Sequence, residues 1–200
     1  MTTLTTGVIE SIRVPDVFSE LTEEIGGKGP DYRAQIYRIP GSLHPDITLR
    51  YSGSALHPSN VSAFRKLLDM PPQTIFENGN PKYSSAEQLE LVKSASSALG
   101  NAGDNQIKNT AKGFEGPTFR LEKLSVVNIN SRSVLRIRGW FHKPDNAEPK
   151  VFLDCIFSDP APESKNCKLE ELYLQCNSAQ QFEQFLPDFE TVLNSIKWSA

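Results

Sequence analysis

Val151-Phe152-Leu153-Asp154-Cys155-Ile156-Phe157 is the stretch on which the fold turns. Side chains of an extended chain alternate between two faces, so Val151, Leu153, Cys155 and Phe157 fall on one side and Phe152 and Ile156 on the other. Apolar residues on both sides mark a central strand covered above and below. Before it, Phe119 to Asn128 reads as a strand that turns at Asn130-Ser131-Arg132 into a second strand, Val134 to His142. A polar connection, Lys143 to Lys150, leads into the central strand, and Leu169 to Cys176 supplies a fourth. Four strands joined in this way predict an antiparallel meander.

Toward the amino terminus, residues 7 to 14 form a first strand closed by Pro15. Ala34 to Ile39 and Asp46 to Tyr51, parted by Pro40-Gly41, predict an antiparallel pair. A short helix follows Pro58, with Ser59 or Asn60 as N-cap, Val61, Phe64, Leu67 and Leu68 on one face, and Pro71-Pro72 as its stop. Ser84-Ser85-Ala86-Glu87 is a capping-box pattern that opens a second helix, and residues 100 to 116 carry no period and read as a loop.

Phe182, Phe185, Phe189, Val192 or Leu193, and Ile196 recur at steps of three and four, the strongest helical signal in the chain. Pro187 interrupts them. Placed as the first residue of a helix running to Lys197, with one looser turn over residues 180 to 186 before it, it costs no hydrogen bond. Together these elements predict an α+β fold. An antiparallel sheet is flanked by helices on both faces as an α/β/α sandwich, in a single domain spanning residues 1–200.

The closing pattern of strand, polar loop, strand, Glu171-Leu172-Tyr173-Leu174-Gln175-Cys176, a helix with an internal proline, and Leu193-Asn194-Ser195-Ile196-Lys197-Trp198 resembles the PsbP-like superfold. That group includes the extrinsic PsbP proteins of photosystem II, the Ran-binding Mog proteins, DcrB-like lipoproteins and chaperones of secreted effectors. The likeness covers residues 117 to 198 and, more thinly, 7 to 70. It implies an α/β/α sandwich and a role in binding protein partners, and it carries over no functional residue.

Composition narrows the classes of function. With 200 residues, 38% apolar and 22% charged, the chain can bury a real core, and a net charge of −3 gives it no general attraction for nucleic acid. Neither a signal peptide at Met1 to Gly7 nor an apolar run long enough to span a bilayer is present, which predicts a cytoplasmic protein; a mature exported form would read the same way. Cys155, Cys167 and Cys176 match no zinc spacing, and Cys155 and Cys176 fall in the apolar phase of strands, as buried reduced thiols do.

No catalytic or metal-binding motif emerges. His44, His57 and His142 stand at element boundaries with no ligand spacing, Gly26-Gly27-Lys28-Gly29 lacks the Walker pattern, and Glu170-Glu171 are neighbours that point apart. No cofactor is implied. One constellation stands out. Arg136, Arg138, Trp140 and His142 share a strand face, and residues 118 to 150 carry seven Lys or Arg, whereas 154 to 190 carry eight acids. Such a stripe suits an acidic docking partner, and pairing with the neighbouring Asp154 and Glu171 strands is the structural alternative. The expected function is therefore a non-enzymatic accessory or adaptor protein binding a protein partner. A small-ligand or anion-binding domain using Arg136, Arg138 and Trp140 is the alternative, and an enzyme the third reading.

Overall fold

The computed structural model describes residues 2–3, 7–21, 33–42, 45–55, 58–80, 86, 118–142, 151–159 and 168–199. Eleven strands and two helices occur among them, in the order β1 (Thr2–Thr3), β2 (Ile9–Ile12), β3 (Ser19–Glu20), β4 (Arg33–Arg38), β5 (Asp46–Ala55), α1 (Pro58–Leu68), β6 (Gln73–Glu77), β7 (Thr118–Ile129), β8 (Arg132–His142), β9 (Val151–Ser158), β10 (Lys168–Cys176), α2 (Ala179–Asn194) and β11 (Lys197–Trp198). Eight strands make one sheet in the order β3-β4-β5-β10-β9-β8-β7-β6, and β1-β2-β11 make a small second sheet. Every pairing is antiparallel.

The meander β7 to β10 and the β4–β5 pair follow the hydropathy pattern. Asn130 and Ser131 both take positive φ, 48° and 70°, the geometry of a two-residue hairpin whose twist matches that of its strands. β9 lies inside the sheet, with Leu153, Cys155 and Phe157 in a core under α1 and Ile156 in a core under α2. The α1 core joins Val61, Phe64 and Leu67 to Ile75, Leu124, Leu135 and Ile137. The α2 core joins Phe182, Phe185, Phe189, Val192 and Leu193 to Ile9, Ile12, Ile47, Leu172 and Leu174. Cys155 and Cys176 are buried and free, and burial, aided by the Asp46 charge, pushes the Cys176 thiol up to about 12.

The α/β/α sandwich is not what forms. The described residues are dominated by antiparallel sheet, with one helix of 11 residues and one of 16. The reason is geometric: eight strands spaced about 4.8 Å apart span roughly 34 Å, while a helix covers a band of about 10 Å. One helix on each side cannot form a layer over such a sheet.

Pro187 is a second departure. It stands inside α2, which runs unbroken from Ala179 to Asn194 and gives way at Ile196 to β11, so the looser first turn and the extension to Lys197 are both absent. Ser178 caps the start by accepting a hydrogen bond from Gln181 N at 3.2 Å. Pro187 is exposed, so the missing bond faces water, while the buried residues on either side of it anchor both halves of the helix to one core. The helix expected from Ser84 and the loop over 100 to 116 lie outside the described residues, as do Gly26 to Gly29, His44, His57 and Cys167.

A carboxyl group ties the ends of the chain to the main sheet. Glu170, 1% exposed on β10, accepts from Val8 N and Ile9 N through Oε2, each at 3.1 Å, and from Ser158 Oγ at 3.3 Å. Gly7 has φ of +94°, and a Cβ there would lie 2.0 Å from Glu170 Oε1, so this approach needs glycine. Trp198 pairs opposite Ile9, and Ser199 N donates to Val8 O at 2.8 Å. Burial raises the Glu170 carboxyl to about 7, against the opposing pull of its three donors and the Arg132 charge.

The folded state therefore keeps a proton on Glu170 that the unfolded chain releases above its ordinary value of 4.5. Its stabilising effect is complete below that value and is lost as pH rises through about 7. Glu170→Gln should flatten this dependence, narrowing by roughly 3 kcal/mol the stability change of the wild type between pH 4.5 and 8. Urea denaturation at several pH values measures it, and parallel curves for the two proteins would refute it. In the α2 core, Phe189 is 0% exposed. Phe189→Ala should cost about 3–5 kcal/mol through lost transfer energy and a residual cavity, and an unshifted denaturation midpoint would show otherwise.

Candidate functional site

Arg136 and Arg138 share a face of β8 with Trp140, as strand alternation requires, and that face looks toward α2. Asp154 stands directly opposite Arg138 on β9 and is 0% exposed. Arg136 donates from Nε to Asp154 Oδ1 at 2.8 Å and from Nη2 to Oδ2 at 2.7 Å, a fork on the carboxylate. Arg138 donates to the same Oδ2 from Nε at 3.1 Å and from Nη2 at 2.8 Å. Glu190 of α2 closes the cluster from above, accepting from Arg136 Nη1 at 3.2 Å and also from Nη2, with Arg138 Nη2 at 3.8 Å.

Two cations and two anions make the cluster neutral. Burial alone would lower the Arg136 value, but the hydrogen bonds and charges of Asp154 and Glu190 outweigh it and hold the guanidinium above its ordinary range. Side-chain exposure divides the anions into two kinds: Asp154 at 0% is fixed, and Glu190 at 42% stands half in water. Arg138 also lies 5.9 Å from the Phe182 ring, and Trp140 packs against Phe152 with centroids 6.2 Å apart. Trp140 thus joins an aromatic row beside α2. His142 ends β8, and its side chain lies outside the described part.

Beside α2 the sheet continues across β7 and β6, and there a cleft of about 470 Å³ opens. Its walls include Arg136, Arg138, Glu190, Lys123, Ser125, Val127, Gln73 and Thr74. Strand register builds the floor. Thr74, Ser125 and Arg136 are successive cross-strand partners, and Glu77, Lys123 and Arg138 form the adjacent row. A bulge at Glu122 shifts β7 so that Leu121 and Leu124 both reach the α1 core, while Lys123 and Ser125 line the cleft. Ser125 is 4% exposed, and among the described residues its Oγ has no hydrogen-bond partner. Lys123 pairs with Glu77 at 3.1 Å, with both side chains 41% exposed.

The structure thus brings Arg136 and Arg138 to one cleft and leaves Trp140 out of its lining. Of the alternative structural partners, Asp154 does pair with the arginines, whereas Glu171 stands opposite Phe157, whose side chain belongs to the α1 core, and so on the other face. Sequence reasoning missed Glu190, Ser125, Lys123 and Thr74. A signal existed for Ser125, a hydroxyl set within the apolar run Leu124-Ser125-Val126-Val127; for the bulge that brings Lys123 round there was none.

Among the described residues no group of three His, Cys, Asp or Glu side chains could hold a metal ion, and no helix is long and apolar enough to cross a membrane. Compared with known protein families and with curated proteins, the chain matches none.

Since Arg138 helps neutralise a buried carboxylate, Arg138→Glu should lower stability by about 3 kcal/mol or more, because it removes one partner of Asp154 and sets a like charge beside it. Arg138→Lys, which keeps the charge and loses the fork, should cost less. Chemical denaturation distinguishes the two, and a wild-type midpoint for Arg138→Glu would return the arginine to the class of free surface charges.

Proposed function

We propose that this protein is a non-enzymatic binding protein whose cleft between α2 and strands β6 to β8 takes a small anionic ligand. The observation that carries the reading is Ser125. A buried hydroxyl without a partner costs stability, and this one lies at the floor of a cleft lined by two arginines and a lysine. A ligand oxygen that settles on the floor beside it would engage the outer edge of the guanidinium pair, and a small shift of the neighbouring side chains would bring the hydroxyl into the same contact.

The other reading, a docking face for a protein partner along Arg136, Arg138, Trp140 and His142, called for a solvated stripe. Arg136 and Arg138 are recessed, at 18% and 27% side-chain exposure, and both are held by Asp154. A recessed, concave arrangement favours a small ligand over a broad partner surface.

Ser125→Ala separates this reading from a purely structural one. The variant should be as stable as the wild type or up to about 1 kcal/mol more so, since a buried hydroxyl without a partner is removed. Titration with citrate and with inorganic phosphate should show weak saturable binding to the wild type and loss of about five-fold or more in the variant, the scale of one hydrogen bond. Binding of both anions unaltered by Ser125→Ala would place the ligand elsewhere.

A further inference from the structure

Resting on that reading of the cleft, we infer that its ligand is a short dicarboxylate, one carboxylate of which replaces Glu190 on the arginines while the other reaches Lys123. The argument begins with charge. Arg136, Arg138, Asp154 and Glu190 sum to zero, so an arriving anion gains little unless one of the carboxylates leaves. Asp154 cannot, being wholly buried and bound by four guanidinium hydrogen bonds. Glu190 can: it is half exposed, on the edge of a helix, and its release into water exposes no buried charge but that of the arginines the ligand then covers.

Glu190 also shows which chemistry the arginines accept. Both its oxygens take hydrogen bonds from the Arg136 guanidinium, the planar fork that a carboxylate fits. A second protein carboxylate repeats the arrangement one strand away. Glu77 holds Lys123 at 3.1 Å with both partners 41% exposed, and Lys123 stands opposite Arg138. Exposed pairs of this kind contribute little and exchange readily. Arg138 and Lys123 thus leave neighbouring strands at backbone positions roughly 5 Å apart, the guanidinium turned toward Asp154 on β9 and the ammonium toward Glu77 on β6, and each side chain now meets a solvent-exposed glutamate, with Ser125 in the same lining. Once the glutamates leave, these two long side chains can turn toward the cleft between them, and two carboxylates on a short flexible spacer then satisfy both.

Calorimetric titration of the full chain with glutarate and with butyrate, a single-carboxylate acid of similar length, tests this. Glu190→Gln removes the competing charge and should tighten both ligands by about ten-fold, equivalent to one screened charge contact. In that variant glutarate should bind at least about five-fold tighter than butyrate, and Lys123→Gln added to it should abolish the preference. Denaturation of each variant verifies that the fold is kept, and Glu190→Ala provides a second version of the same test. Equal binding of glutarate and butyrate overturns the dicarboxylate, and failure of Glu190→Gln to tighten either overturns the exchange; in both cases Ser125-dependent binding of citrate or phosphate leaves the anion cleft standing. If no variant binds any of these anions saturably, the cleft reading falls with the inference.

Discussion

A carboxylate sealed in the centre of the sheet, that of Asp154, constrains more of this molecule than any other group. An ionised carboxylate without exposure is tolerated only where charge and hydrogen bonds surround it, and the required guanidinium groups arrive from positions 136 and 138 of the neighbouring strand. Both must come from one face of β8. A slip of one residue in the β8–β9 register would turn those arginines into the core with Leu153 and Phe157 and strand the carboxylate alone, so the network selects the register that the hydrophobic pattern also prefers. Through Glu190 it reaches α2 as well, fixing which flank of the helix faces β8.

Similar solutions recur around the sheet. Asp46, 5% exposed, is gripped by Arg38 from the paired strand β4, and Asp159, also 5% exposed, by Arg65 from α1 at 2.7 Å. Glu170 is the exception. Its nearest partners are backbone and hydroxyl donors, and it meets burial by keeping its proton. The two kinds of site do different work. The Asp–Arg pairs hold strands and helix to the sheet, whereas the seam joining the chain's two ends to that sheet carries a carboxyl that burial raises to about 7.

Alternation made the strands legible, and with them the common face of Arg136, Arg138 and Trp140. β9 was plain because a strand covered on both sides cannot hide its pattern. Alternation says which residues share a face, however, and not what lies above that face. The stripe reads as solvent-facing because arginine is costly to cover, and the covering becomes intelligible only when Asp154, itself in an apolar strand, is recognised as the charge the arginines must answer. Glu190 lies beyond such reasoning, since it meets Arg136 across a helix–sheet packing that no local pattern encodes. The sandwich expectation failed for a related reason. Helices can be counted from periodicity, but how much sheet each must cover depends on how many strands join, and short pieces such as β3 and β6 carry too few residues to announce themselves.

The cleft follows from that mismatch between sheet and helix. α2 packs over β9 and β10, and the sheet runs on past its edge through β8 to β7 and β6. Where a helix stops short, the uncovered strand face must become polar or be filled by something else. β7 takes the first course with Lys123 and Ser125, and the bulge at Glu122 brings both to this side while leaving Leu124 in the core below. A surface that needed only solubility would be served by charges reaching into water. Instead it holds a recessed hydroxyl without a partner, beside arginines whose second carboxylate is the exposed one. The hydroxyl adds nothing to the stability of the fold, and a ligand that brings an oxygen to the floor and replaces the loose carboxylate gives both features a role.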